Sequence, residues 1–206
     1  MSLKADIEGI YSDNTNYTNP SQAVNQASSL NALSADLYTD SKRFIYELLQ
    51  NADDSALNDE AVKVWIKIFD NILVVAHSGK SFSSRDLQGI CNINNGTKRT
   101  DLTKTGYKGI GFKSVFGQSD RVTIFSNKEY FRFDSSYPFE WKWEDSKITW
   151  EIKNDRQFQF PWQIIPIYTE QEEIHKPINQ FLENVEANVA TIIQMKNAKE
   201  TSQAVR

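Results

Sequence analysis

The chain has 206 residues, 39% of them hydrophobic and 24% charged, with a formal net charge of −4. That length suits one domain with a sizeable core, and the acidic balance argues against a nucleic-acid coat, which would be basic. No apolar run reaches the roughly 20 residues of a membrane span, no leader marks secretion, and the lone Cys91 forbids an internal disulfide, so a cytoplasmic place without membrane contact is expected.

Taken in chain order, Met1-Ser-Leu3 is set aside as an added leader, and residues 1–20, rich in Asn, Ser and Thr, are expected to be irregular. A single domain is expected over 21–206. Pro20-Ser21 opens a helix to about Leu33. A second helix should run from Asp40 or Ser41 to about Ser55, because Phe44, Ile45, Leu48, Leu49 and Ala52 recur at helical spacing. The period then drops to two at Val62–Ile68, a half-buried strand, and Asp70-Asn71 turns the chain into the apolar strand Ile72–Ala76. Ser83, with Asp86 three residues on, caps a short helix to about Cys91.

Residues 92–108 are polar and aperiodic, a loop of the length often used as a lid or binding loop. A short helix over Phe112–Phe116 follows. Strands are expected at Arg121–Ser126, Tyr130–Asp134, Phe139–Trp143 and Lys147–Lys153, then a helix near Pro177–Asn184 and a last strand over Ala190–Lys196. Hairpins outnumber parallel crossovers, so the fold class is α+β: a two-layer sandwich with a mixed, mostly antiparallel sheet and helices on one face.

Two segments carry candidate chemistry. Glu47, Asn51 and Asp54 stand at i, i+4 and i+7 and share one helix face. A plain solvated face is one reading. The chemical one gives Asn51 as a neutral oxygen ligand for Mg²⁺, Glu47 as a base for an attacking water, and Asp54 as a group that orients a ligand through water. Gly106, Gly109 and Gly111 end the polar loop just before a helix start, where free N–H groups favour phosphate. A hinge with solvated lysines is the alternative. From Gly96 to Lys113 the basic residues are Lys98, Arg99, Lys104, Lys108 and Lys113, against Asp101 alone, which suits a compact anion. A P-loop is excluded, because Lys113-Ser114 follow Phe112 and not Gly111. His77, His175 and Cys91 lack the spacing of a zinc site. Four of the five tryptophans lie between Trp141 and Trp162, a partner-facing patch or sheet-face packing.

Together these segments resemble a known family. Glu47-x-x-x-Asn51-Ala-x-Asp54 looks like the first box of GHKL ATPases, and Gly106-x-x-Gly109-x-Gly111-Phe112 like the box that closes their ATP lid. The runs from Arg43 to Asp54 and from Thr105 to Phe116 are closer still to the sacsin and NO VEIN branch, and Ala190-Thr191-Ile-Ile193 resembles the family's late strand. The resemblance implies an ATP-binding domain with Mg²⁺ as cofactor, acting as a slow ATPase whose lid drives a larger chaperone-like or regulatory protein. It also implies further domains in a longer chain, and a homodimer or neighbouring domain that helps close the lid. Glu47 would be the general base that activates water, Asn51 would bind Mg²⁺ and phosphate oxygens, and Asp54 would support the base and ribose side of the pocket. Phe82 and Ile110 would line the pocket, and Thr191 would join the water network at the adenine. The backbone from Gly106 through Tyr107, Lys108, Gly109, Ile110 and Gly111 to Phe112 would cradle the phosphates, with Lys108 and Lys113 nearby.

One box departs. The family usually has Asp-x-Gly-x-Gly, whose Asp accepts from the adenine amine. Here His77-Ser-Gly79-Lys-Ser81 stands in its place. Neutral His77 can receive that amine through its one acceptor nitrogen, or it is a buried structural residue beside a water-read base. A nucleotide-sensing module without turnover, or a purely structural interaction domain, are the other functional readings.

Overall fold

The computed structural model describes residues 2–37, 43–57, 60–92 and 111–196. The chain opens with helices α1 (Lys4–Thr15), α2 (Pro20–Leu37) and α3 (Arg43–Asp53), followed by the hairpin β1 (Val64–Phe69) and β2 (Ile72–His77). Helix α4 (Ser84–Cys91) and a 3₁₀ turn, Phe112–Gly117, precede the second hairpin, β3 (Arg121–Ser126) and β4 (Glu129–Asp134). Then come α5 (Lys147–Asn154), the short strand β5 (Ile167–Thr169), α6 (Lys176–Asn184) and β6 (Val189–Gln194).

The six strands form one sheet in the order β1-β2-β6-β3-β4-β5, and every pairing is antiparallel. The expected α+β sandwich is present, with no parallel pair among the described strands. Alternation along the strands sorts the side chains. Leu73, Val75, Val122, Ile124, Phe131, Phe133 and Ile193 point to one face, where they meet Phe44, Ile45 and Leu48 of α3, Leu87 and Ile90 of α4, and Val115 and Phe116 of the 3₁₀ turn. Val74, Ala76, Ala190 and Ile192 point the other way, and α6 covers them with Ile178 and Leu182. Among the described residues the helical layer is therefore thick on one face, with α6 on the other.

Three sequence expectations need correction. Residues 4–15 are helical, not irregular, and Leu3 is 4% exposed and Ile7 0%, both in the main core. The amino-terminal residues thus belong to the domain: Ser2 donates through its hydroxyl, and Leu3 through its N–H, to the Glu129 carboxylate at the start of β4. Poor helix propensity is overridden by the burial of that apolar stripe. Phe139–Trp143 is not a strand but irregular chain. Lys147–Asn154 is a helix, because Ser146 caps it by accepting from the Thr149 N–H and Asp155 ends it in the left-handed region at φ 47°. The alternation Ile148, Trp150, Ile152 imitates a strand, but Trp150 is buried while Ile148 and Ile152, four residues apart, share the exposed face.

The tryptophans also sit differently. Trp141, Trp143 and Trp150 gather with Phe139 and Phe158, with Trp141 and Trp143 centroids 4.8 Å apart and Trp141 and Phe158 5.2 Å apart. These rings pack on one another. Only Trp162 of that group touches the main core, through Phe116 at 5.0 Å.

Candidate functional site

Helix α3 buries Phe44, Ile45, Leu48 and Ala52 against the sheet, and this turns its polar stripe sideways, toward α4 and the ends of β2 and β6. Between these elements lies a cavity of about 380 Å³. Its lining draws on distant parts of the chain: Asn51 and Asp54 from α3 and its end, His77 from β2, Phe82 from the loop before α4, Phe112 from the 3₁₀ turn and Thr191 from β6. Six residues singled out from sequence thus meet in one place.

Strand register builds the floor. Val75 pairs with Thr191 and His77 with Val189 across the β2–β6 ladder, so all four project to the same face. Leu48 and Ile90 supply apolar walls. The loop Ser78–Phe82 is held at several points. Lys80 N–H donates to the Ser55 carbonyl at 2.8 Å, Phe82 N–H donates to the Ser126 hydroxyl at 2.8 Å, and Asn188 N–H donates to the His77 carbonyl at 3.0 Å. Helix α4 then begins with the expected capping box: Ser83 Oγ accepts from Asp86 N–H, and Asp86 Oδ2 accepts from Ser83 N–H.

Glycines mark the close approaches. A Cβ on Gly79 would lie 1.8 Å from Ser55 Oγ and 3.0 Å from His77 Nδ1, and one on Gly111 would lie 2.0 Å from Glu47 Oε2. Glu47 therefore rests against the backbone of Gly111, at the α3–turn boundary. Arg43 lies one helical turn back, its Nε 3.6 Å from Glu47 Oε1.

Lys113 departs from its expected neighbourhood. It is 0% exposed, and its Nζ donates to the Ile90 carbonyl at 2.7 Å. Burial pushes its pKa down to about 8, partly offset by Cys91, whose own thiol burial pushes up to about 12. Gly106, Tyr107, Lys108, Gly109 and Ile110, like the helix-start candidates Asp40 and Ser41, lie outside the described residues.

Sequence reasoning passed over Ser55, Lys80 and Asp86, which also line the cavity. Ser55 follows Asp54 directly, and Lys80 lies inside the departing box, so position alone could have flagged both. Asp54, Asp86 and Lys80 are the formal charges of the described lining. Among the described residues no group of three His, Cys, Asp or Glu side chains could hold a metal by itself, and no helix is long and apolar enough to cross a membrane.

A family model described as "Sacsin domain" matches residues 31–195. The chain is similar to Protein NO VEIN of Arabidopsis thaliana, 37% identical over 108 residues, which is 52% of this chain and 4% of that protein. It is also similar to Sacsin of Homo sapiens, 31% identical over 105 residues, 45% of this chain and 2% of that protein. The chain thus matches only a few per cent of the length of these relatives.

Proposed function

The chain belongs to the Sacsin domain family, and from that premise we propose that its cavity binds a purine nucleoside triphosphate with Mg²⁺, with ATP as the ligand the GHKL resemblance implies. The observation that carries the reading is convergence: Asn51, Asp54, His77, Phe82, Phe112 and Thr191 span 141 positions of sequence and line one cavity. The volume, about 380 Å³, lies in the range of small-ligand sites.

The lining is apolar around Val75, Leu48, Ile90 and Val189 and polar toward Asn51 and Asp54. A flat base suits the apolar residues, a hydrated, charged tail with Mg²⁺ suits Asn51, and the Asp54 carboxylate, which would repel phosphate, suits the base and ribose side. The Asn51 side-chain oxygen is a hard donor of the kind Mg²⁺ accepts, and one or two protein oxygens suffice, because the ion keeps waters and takes phosphate oxygens for the rest. That also fits the lack of a three-carboxylate cage among the described residues. Bound Mg²⁺ would neutralise phosphate charge. Glu47, held between Arg43 and the backbone of Gly111, is the group that would orient and deprotonate water.

Turnover is tested by phosphate release from wild type and Glu47→Ala in the presence of Mg²⁺ and ATP. Wild-type release that falls at least roughly 100-fold in the variant is expected for loss of a general base; equal release from both removes Glu47 from the reaction. A second reading, nucleotide binding without turnover, is favoured by the Arg43 contact, which engages one Glu47 carboxylate oxygen at 3.6 Å. In that case calorimetry records binding while phosphate release stays at background. A purely structural domain would leave the convergence on one cavity without a purpose. Under the nucleotide reading, further domains or a second copy of the chain close the site, in a chaperone-like or regulatory protein of the cytoplasm.

A further inference from the structure

The sheet ends differently at its two edges. Strand β5 is three residues long, and a very short edge strand is one of the ways a sheet resists further pairing. Strand β1, at the other edge, has six residues, Val64-Trp-Ile-Lys-Ile-Phe69, and pairs with β2 without a break from Val64–His77 to Phe69–Ile72. It carries neither a proline nor a bulge to blunt it. Its one charge, Lys67, is laid over the α6 face, with Nζ 4.8 Å from the Phe69 ring centroid and 4.9 Å from that of Phe181.

The hairpin fixes which backbone groups of β1 face outward. Ser78 N–H donates to the Lys63 carbonyl at 3.0 Å, one pair beyond Val64 and His77. Bonded and unbonded pairs alternate along an antiparallel ladder. Trp65, Lys67 and Phe69 therefore direct their N–H and C=O groups to β2, while Val64, Ile66 and Ile68 aim theirs at the open edge. Among the described residues no strand pairs there. The side chains of these three residues lie on the main-core face, since Ile66 stands opposite Val75 and Ile68 opposite Leu73. Val64 packs against that core, whereas Ile66 and Ile68 are 38% and 39% exposed.

We infer that β1 is a docking edge for a second copy of this chain, which adds its own β1 antiparallel across a two-fold axis at Ile66. Charge selects the register. Centred on Ile66, Val64 faces Ile68 of the second copy, Lys67 faces Trp65 and Lys63 faces Phe69, so each lysine meets an aromatic ring. A centre on Lys67 sets that lysine against itself, and a centre on Trp65 sets Lys63 against Lys67; like charges directly opposite are unfavourable. A centre on Val64 or Ile68 runs half of the ladder off the strand. Main-chain bonds from Val64, Ile66 and Ile68 hold the two copies, with the isoleucines packed along one face. The contact is isologous and uses both open edges, so it closes at two copies and leaves only the short β5 strands outside. It does not depend on what the cavity binds.

The experiment is sedimentation velocity of the 206-residue chain over a concentration series, with far-UV circular dichroism as the check on folding. Wild type is expected to pass from monomer to dimer as concentration rises. Ile66→Lys and Ile66→Glu each set like charges together on the axis, and each alone is expected to stay monomeric. Mixed in equal amounts they place Lys against Glu, and the dimer is expected to return. That rescue requires both chains to be folded and residue 66 to meet itself, so it separates a lost contact from a lost fold. Ile66→Pro removes an N–H that β2 does not use and is expected to be monomeric with an unchanged spectrum. Wild type that remains monomeric at the highest concentration overturns the inference. So does a dimer that persists in the variants, or a charge mixture that stays monomeric.

Discussion

Two side chains show how much depends on a single contact. A methyl on Gly111 would meet the free end of Glu47, a flexible carboxylate that can swing aside. Gly111→Ala is therefore expected to leave the urea midpoint almost unchanged, while phosphate release drops as far as in Glu47→Ala. A large loss of stability would show that the contact is structural only. Lys113 is a different case. Its folded pKa, about 8, lies below the 10.5 of the free side chain, so between those values the unfolded chain holds more protons and stability rises with pH. Below pH 8 the charged ammonium stays buried, at a cost of roughly 3 kcal/mol by the shift. The buried Cys91 thiol works the other way, losing stability above pH 9 because its folded pKa is raised. The contribution of Lys113 is thus read as a difference: Lys113→Met should be more stable than wild type at pH 7, with the gap closing between pH 8 and 10.5. A gap that does not change with pH would sink this account. The stacking of Asn51 and Asp54 was legible from their spacing, because a helix face is a matter of periodicity. The burial of Lys113 was not, since it depends on the Ile90 carbonyl brought close by folding.

At the scale of elements, local signals were read well where cap and period agreed. Ser83 and Asp86 announced α4, and Val64–Phe69 and Ile72–His77 paired as a hairpin around the Asp70 turn, at φ 50°. Ser83→Ala removes the acceptor for Asp86 N–H and is expected to cost about 1 kcal/mol in urea unfolding. Since Phe82 precedes that cap and lines the cavity, the same variant should also weaken nucleotide binding; an unchanged affinity would show that Phe82 is held by Ser126 alone. Local signals failed where the pattern was ambiguous. The Ile148-Trp150-Ile152 alternation fits a strand, and only the cap at Ser146 and the aromatic cluster beyond Trp150 settle it as helix. Strand β5, three residues long, is too short to carry a period of its own.

For the whole molecule, the amino-terminal helix is the main surprise. Leu3 and Ile7 close the same core that positions α3 and α4, so their loss should loosen the cavity from a distance. Ile7→Ala is expected to cost about 2–4 kcal/mol in chemical unfolding, as a large-to-small change in a filled core. A cost below about 1 kcal/mol would mean α1 is an appendage. The sandwich class could be inferred from hairpin count, but the thick helical face and α6 opposite could not, because both faces of β2 and β6 are apolar and sequence does not say which helix covers which.

Strand β6 joins the β1–β2 hairpin to the β3–β4–β5 ribbon, although it is the last of the six to be synthesised. A nascent chain therefore carries two separate sheets with unpaired inner edges until residues 189–194 emerge, and such edges invite mispairing. Half of the cavity floor arrives in the same step, with Val189 and Thr191. A ligand that needs this floor cannot template early folding; it can only trap the finished sheet, whose final pairing is long-range and slow.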